Sequence, residues 1–313
     1  MPSPVVILAG GTGGAKLARG MLDVAGGDLV VIANTGDDIE IHGGYVSPDP
    51  DLVTFWLADR IDERGWGLAD DTFEVMDGLR ALGVDVWFNL GDRDLAIALH
   101  RARALAAGAS LTEAHAQIAA ALGVPATILP MCDQPVRTRV LAEDEWYPLQ
   151  EFLIRRRGAG PVQDVEFRHV PTACATPEVL DALRSARAIV IGPSNPVISI
   201  GPILAVPGIA AAIADSPAPC VAVSPLVGGA VLKGPTAEFL RWAGRSCDSD
   251  GIAAFYAGLI DGLVADQPAT GPSELPMHQR DVRLDTPQHR RDVAAGTLGF
   301  ALGLPTSAPT TSV

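Results

Sequence analysis

The sequence predicts an α/β fold: a mainly parallel sheet with helices on both faces, plus an inserted β-hairpin subdomain. Three observations point there. Short β-rich apolar runs alternate with Ala/Leu-rich helical stretches along most of the chain. The strand-like runs are apolar throughout, as strands covered on both faces are. Polar or glycine-rich clusters follow these runs, where open parallel sheets bind their ligands.

The elements follow in order. Val5–Ala9 reads as the first strand, then a glycine loop over Gly10–Lys16 and a helix over Lys16–Val24. Leu29–Ala33 is a second strand ending in Asn34-Thr35-Gly36-Asp37-Asp38, with helices expected over Asp51–Glu63 and Asp71–Leu82. Val84–Asn89 is a third strand ending in Leu90-Gly91-Asp92-Arg93-Asp94. Helices at Leu95–Ala107 and Leu111–Leu122 come next, the second N-capped by Ser110. Ala126–Leu129, Ala188–Ile191 and Val221–Val223 are further strands. Between Val136 and Val170 the rhythm breaks. Phe152-Leu153-Ile154 and Val165-Glu166-Phe167 read as hairpin strands around Arg155-Arg156-Arg157-Gly158. The expected organisation is one domain from 1–135 and 171–304, with 136–170 inserted and a Ser/Thr/Pro-rich disordered tail at 305–313.

Composition narrows the function. With 313 residues, 48% of them hydrophobic, the chain can bury a large core. Its net charge of -14 argues against nucleic acid, whose phosphates need clustered Lys and Arg. Cys132, Cys174, Cys220 and Cys247 are far apart, which reads as free thiols in a reducing compartment. The N-terminus lacks the marks of a signal peptide, and no apolar run approaches the roughly 18 residues of a membrane span. The cytoplasm is the expected location, with no membrane partner.

Four clusters carry chemistry. Gly10-Gly11-Thr12-Gly13-Gly14-Ala15-Lys16 lies between a strand and a helix, where glycines let a phosphate approach the main chain and the helix N-terminus offers N–H groups. It lacks the spacing of a Walker A loop, Leu17 supplies no hydroxyl for magnesium, and the dinucleotide fingerprint fails at Lys16. A tight strand–helix turn is the bland alternative. Asp37, Asp38, Asp49 and Asp51 gather four carboxylates near one strand end. An anionic substrate would be repelled there unless a hard cation such as magnesium lay between; helix capping by Asp49 and Asp51 is the simpler reading. Gly91-Asp92-Arg93-Asp94 can orient substrate hydroxyls or a ring edge, or form a self-satisfied cap. Ser194, Asn195 and Ser199, in a proline-stiffened loop, can bind phosphate or base without adding charge, or serve turn geometry alone. The six histidines form no ligand spacing.

In order, these clusters resemble the 2-phospho-L-lactate transferase family of deazaflavin coenzyme F-420 biosynthesis, which includes phosphoenolpyruvate transferases. The resemblance rests on GGTGGAKL (10–17), NTGDD (34–38), SPDPD (47–51), LGDRDLA (90–96), LPMCDQPVRT (129–138), FLIRRRG (152–158), GPSNPVISIGPIL (192–204) and AVSPLVGGAVLKGP (222–235). It implies a Rossmann-like homodimer that requires Mg2+. The donor would be guanosine diphosphate linked to a three-carbon acid, lactate or enolpyruvate. The acceptor would be the ribityl hydroxyl of 7,8-didemethyl-8-hydroxy-5-deazariboflavin, with GMP released. On this reading Gly11, Thr12, Gly13, Gly14 and Lys16 hold the diphosphate, with Ser194, Asn195 and Ser199 opposite. Asp49 and Asp51 bind the metal and serve catalysis, Asp51 also helping to deprotonate the acceptor. Asn34, Asp38, Asp92, Arg93 and Asp94 orient the acceptor.

Two departures stand out. Leu52 follows Asp49-Pro50-Asp51 where the family usually has a threonine, and the C-terminal Thr-Leu-Met element is reduced to Leu284-Asp285-Thr286-Pro287 with a shortened segment after it. Two other readings compete: a non-catalytic regulator that binds a nucleotide sugar, and a nicotinamide-dependent dehydrogenase with Asp37 on the ribose.

Overall fold

The computed structural model describes residues 3–232, 234–271 and 274–305. Seven strands form one sheet: β1 (Val5–Ala9), β2 (Leu29–Ala33), β3 (Thr127–Pro130), β4 (Ala188–Ile191), β5 (Cys220–Val223), β6 (Gly262–Ala265) and β7 (Met277–Gln279). Their spatial order is β7-β6-β5-β4-β1-β2-β3, and every neighbouring pair is parallel. This doubly wound order reverses direction between β1 and β4, and the crevice at that reversal is where such sheets take ligands. The register there pairs Val5 with Ala188 and Leu8 with Ile191.

Side chains along β1 divide between two cores. Val6 and Leu8 join Leu183, Ile203 and Ile252 on one face. Val5 and Ile7 join Leu17, Met21, Val53 and Leu298 on the other. Helices named here are α1 (Gly11–Ala25), α2 (Pro48–Leu57), α3 (Glu74–Ala81), α4 (Asp92–Ala106), α5 (Leu111–Ala121) and α6 (Leu149–Ile154). Ser110 caps α5 as anticipated, accepting the Glu113 N–H while Glu113 reaches back to the Ser110 N–H.

The sequence expectation fails at four places. The glycine loop is not a loop: α1 begins at Gly11, directly after β1. The helix expected over Asp51–Glu63 is Pro48–Leu57, and the chain turns at Asp59, whose φ is +53°. Val84–Asn89 forms no strand, because it lies outside the sheet with no strand beside it. Its Phe88 instead enters a satellite core with Val46, Met76, Leu90 and Leu95. Phe152-Leu153-Ile154 is the end of α6 rather than a hairpin strand, and buried Phe152 meets Phe239 edge to face at 6.1 Å. The strands of the 136–170 region are Arg137–Ala142, Glu145–Pro148 and Asp164–Arg168, an antiparallel sheet with Arg137–Ala142 in the middle. β6 and β7 had not been anticipated. The expected tail lies, from residue 306 on, outside the described residues.

Gly13 allows the backbone of α1 to approach the chain leaving β4. A Cβ on it would stand 2.0 Å from the Pro193 carbonyl oxygen. Gly13→Ala is therefore expected to cost at least the ~1–3 kcal/mol of core overpacking. Gly299→Ala, in the helix Pro287–Gly303 with open space at its Cβ, is expected to be neutral or stabilising by up to about 1 kcal/mol. Urea denaturation of the two variants checks this; equal stabilities would remove the packing role of Gly13.

Candidate functional site

A cavity of about 560 Å³ opens beside the carboxyl ends of β1 and β2. That size is typical of small-molecule sites. Gly11 of α1, Asn34 and Asp37 after β2, Asp49 and Asp51 in the first turn of α2, Asp94 in the first turn of α4, Gln150 of α6, and Ser199 line its polar parts. Its apolar walls come from Phe55, Trp66, Trp87, Phe88, Leu149 and Leu153, among others.

Asn34 organises the acidic wall. Its Oδ1 accepts the Gly36 N–H at 2.8 Å, which fixes the amide orientation. Its Nδ2 then donates to Asp49 Oδ2 at 2.9 Å and, at 3.4 Å, to Asp37 Oδ1. The other Asp49 oxygen accepts the Gly11 N–H at 2.6 Å, and the other Asp37 oxygen accepts Gln150 Nε2 at 2.7 Å. Burial pushes Asp49 up to about 6, against the pull of these donors. Asp37 is pushed well above the carboxylate range by burial first, then by the charges of Asp49 and Asp38. Asp38 sits behind the wall, not on it. Its Oδ1 accepts the Ser47 hydroxyl at 2.7 Å, and burial raises it to about 7 although Arg137 opposes.

Asp51 is committed differently. Fully buried Arg101 of α4 grips both of its oxygens, Nη1 at 3.1 Å and Nη2 closer still, while Nη1 also donates to the Tyr45 carbonyl. Burial raises Asp51 and Arg101 counteracts it. Behind it, the Thr54 hydroxyl donates to the Pro50 carbonyl at 2.8 Å. His115 Nε2 therefore supplies the proton of its 3.1 Å bond to Thr54. Burial holds His115 neutral, down to about 3.

Among the described residues, no three His, Cys, Asp or Glu side chains form a metal cage. Magnesium needs none, since it takes one or two carboxylates and completes its shell with water and phosphate oxygens. Asp49 and Asp37 fit that demand: two buried carboxylates share one amide and repel each other. Arg101 offsets the charge of Asp51, whereas Asp37 and Asp49 accept only from neutral amides and a backbone N–H, so Asp37 is the carboxylate better disposed to join Asp49.

The glycine cluster serves contact between backbones. Ser194 Oγ accepts the Gly14 N–H at 3.1 Å and donates to the Gly10 carbonyl, tying α1 to the turn after β4. Gly11 and Gly14 thus have their N–H groups occupied. Thr12 and Gly13 stand partly exposed in the same helical turn. Asn195 caps the turn that follows, its Oδ1 accepting the Val197 and Ile198 N–H groups. Lys16 lies on α1 over the Trp56 ring, 5.9 Å from its centroid, and does not line the cavity.

The Gly-Asp-Arg-Asp run divides. Asp92 accepts from Thr72 Oγ1 and from the Glu74 and Val75 N–H groups, so it caps α3. Arg93 is exposed and directs Nη1 towards the Ala69 carbonyl. Asp94 alone of the three reaches the cavity. Sequence reasoning missed Gln150, Arg101 and the aromatic walls. Arg101 carried a signal: it follows Asp94 by seven residues on one helix, so both face the same way.

A family model described as 2-phospho-L-lactate transferase CofD matches residues 5–297. The chain belongs to the 2-phospho-L-lactate transferase family. It is 37% identical over 265 residues to the 2-phospho-L-lactate transferase of Methanosarcina mazei, covering 84% of this chain and 87% of that relative. It is 40% identical over 271 residues to the phosphoenolpyruvate transferase of Kitasatospora aureofaciens, covering 84% of each. A crystal structure of protein BH3568 from Bacillus halodurans shares the fold, with a TM-score of 0.56 and 20% identity over 86% of this chain and 82% of that one. Leu52, the residue after Asp49-Pro50-Asp51, lines the cavity wall. Thr286, in the reduced C-terminal element, caps the helix Pro287–Gly303, accepting the His289 N–H at 3.1 Å.

The raised carboxyls make stability depend on pH. Asp37, Asp38 and Asp94 hold protons in the fold that the unfolded chain has lost, so their ionisation destabilises. His115 works in the opposite sense, but its effect fades within about a unit above the ordinary histidine value of 6.5, as the unfolded histidine becomes neutral. With chelator present, the melting temperature is therefore expected to fall as pH rises from about 6.5 to 8. Millimolar magnesium is expected to recover part of the loss at the upper end. A melting temperature that climbs over this range, with or without magnesium, contradicts the charge assignment.

Proposed function

We propose that this family member transfers a phospholactyl or phosphoenolpyruvyl group from a guanosine diphosphate donor to the ribityl hydroxyl of 7,8-didemethyl-8-hydroxy-5-deazariboflavin, releasing GMP. The observation that carries the reading is a junction. The buried pair Asp37 and Asp49 lies between the N-terminus of α1 and a cavity walled by Phe55, Trp66 and Trp87. The aromatic cavity suits a planar acceptor; the helix end suits an anionic donor. Relatives named for both kinds of transfer, at 37% and 40% identity, support the reaction class. The proposal includes a magnesium requirement, a cytoplasmic location and a homodimeric state.

Phosphoryl transfer depends on positioning and charge neutralisation. When bound, magnesium would offset the charge of the donor phosphates and of the two carboxylates. Asp49 and Asp37 would hold it. The Thr12 and Gly13 N–H groups and Ser199 would bind the donor phosphates beside them, with Lys16 adding positive charge nearby. Asn34 holds both carboxylates in place through its oriented amide. Asp51, lining the cavity and gripped by Arg101, would accept a hydrogen bond from the acceptor hydroxyl and help its proton leave.

Purified protein with magnesium, the deazaflavin and each donor in turn is expected to give GMP and one phosphodiester, whose mass identifies the three-carbon acid. Asp49→Asn is expected to lower kcat at least a hundredfold while the circular dichroism spectrum stays unchanged. Near-wild-type turnover would remove Asp49 from the machinery. Calorimetric binding of a nucleotide sugar, with none of the deazaflavin, would favour the regulator instead.

A further inference from the structure

Asp37 depends for its position on a distant part of the chain. Of its two bonds to other side chains, the one from Asn34 is long, at 3.4 Å, and the one from Gln150 Nε2 is short, at 2.7 Å. Asp49 needs no such help, being held by Asn34 at 2.9 Å and by the Gly11 N–H at 2.6 Å. Gln150 stands on α6, a helix of six residues. A helix that short has little stability of its own and keeps its shape through what it packs against. Leu149 and Phe152 anchor it in the interior. Gln150, Leu153 and Ile154, three and four residues apart on one face, line the cavity instead. Ile154 is 40% exposed. Past the far end, Arg155 stacks on the Trp87 ring and pairs with Asp85, an exposed bridge of the kind that adds little stability in water. The helix face that would meet a cavity ligand is thus loosely held, and it carries the donor that sets Asp37.

Building on the transferase reading, we propose that Gln150 is a positioning residue through which the acceptor and a divalent cation strengthen each other's binding. A planar ring seated against Leu153 and Ile154 fixes α6 and Gln150 with it, so that Asp37 is held ready for a cation beside Asp49. A cation on Asp37 in turn steadies Gln150 and the cavity wall. No atom of the acceptor has to touch the metal. Linkage makes the effect reciprocal: the factor by which the acceptor tightens the cation equals the factor by which the cation tightens the acceptor. Hydrogen-bond partners of ligating carboxylates change metal affinity by roughly 10–100-fold, which is ample for such a factor. The donor then meets a fully ordered metal site only when its acceptor is in place, which protects it from attack by water.

The test uses manganese as the divalent probe, its free concentration read by electron paramagnetic resonance. Manganese affinity is measured with and without saturating deazaflavin, and deazaflavin affinity by fluorescence with and without manganese. Wild type is compared with Gln150→Met, which keeps the length of the side chain and removes the donor. In wild type each ligand is expected to tighten the other by about fivefold or more, by the same factor in both directions. In Gln150→Met both factors are expected to fall below about twofold, while the variant still binds deazaflavin and keeps the wild-type circular dichroism spectrum. A purely structural role would lower both affinities and leave their ratio intact. If wild type shows no mutual tightening or binds no manganese, or if Gln150→Met keeps the wild-type factor, the role of Gln150 is overturned although the acceptor reading stands. If wild type does not bind the deazaflavin at all, the transferase reading falls with it.

Discussion

The Pro193 carbonyl occupies the place where any side chain on Gly13 would have to be. That contact sets the rest of the arrangement. Because α1 can start directly at the end of β1, its N-terminus lies against the chain leaving β4, where Ser194 locks it by accepting from Gly14 and donating to Gly10. Gly10 also meets Asp49 and Ser199, the ideal Cβ position being 2.8 Å from a side-chain atom of each. A glycine that looks like a ligand loop is thus first a solution to packing at the point where the sheet reverses. Ligand chemistry follows, since only a backbone this close brings a helix end, a carboxylate and a hydroxyl together.

Charge is the second constraint. The chain carries a net charge of -14, and it buries Asp37, Asp38, Asp49 and Asp51 rather than leaving them in water. Only Asp51 receives an arginine as a close partner. Hydrogen bonds from neutral amides orient Asp37 and Asp49 without cancelling their charge. A site built this way stays under electrostatic stress until positive charge arrives. Such perturbed carboxyls cluster where function needs them more often than where folding does.

Much of this was legible in the residues. Apolar runs located β1 to β5 because strands buried on both faces have no polar alternation to blur them. Met277-His278-Gln279 escaped notice because an edge strand of three partly exposed residues carries no such signal. Val84–Asn89 misled for the opposite reason: its valines and aromatics are strand-forming, but they serve a satellite core and a cavity wall with no neighbouring strand. Asp49, Asn34, Asp94 and Ser199 stand out in the sequence through their clusters, and they line one cavity. Asp92 was indistinguishable from Asp94 in sequence; only the proximity of the N-terminus of α3 turns it into a cap. Gln150, Arg101 and Trp87 act across long separations, which local spacing does not encode.

Arg155 stacks on Trp87 at 5.0 Å and pairs with Asp85 at 2.6 Å, joining the end of α6 to the segment that walls the cavity. Gln150 reaches back to Asp37 across 113 residues of sequence. The pocket is therefore assembled late. During synthesis the glycine helix, the acidic turn and the aromatic segment all leave the ribosome before the chain that closes them over. Contacts at such separations form slowly, after the local ones. Until residues 149–155 and Ser199 arrive, the acids of the site face water, where their charges cost little.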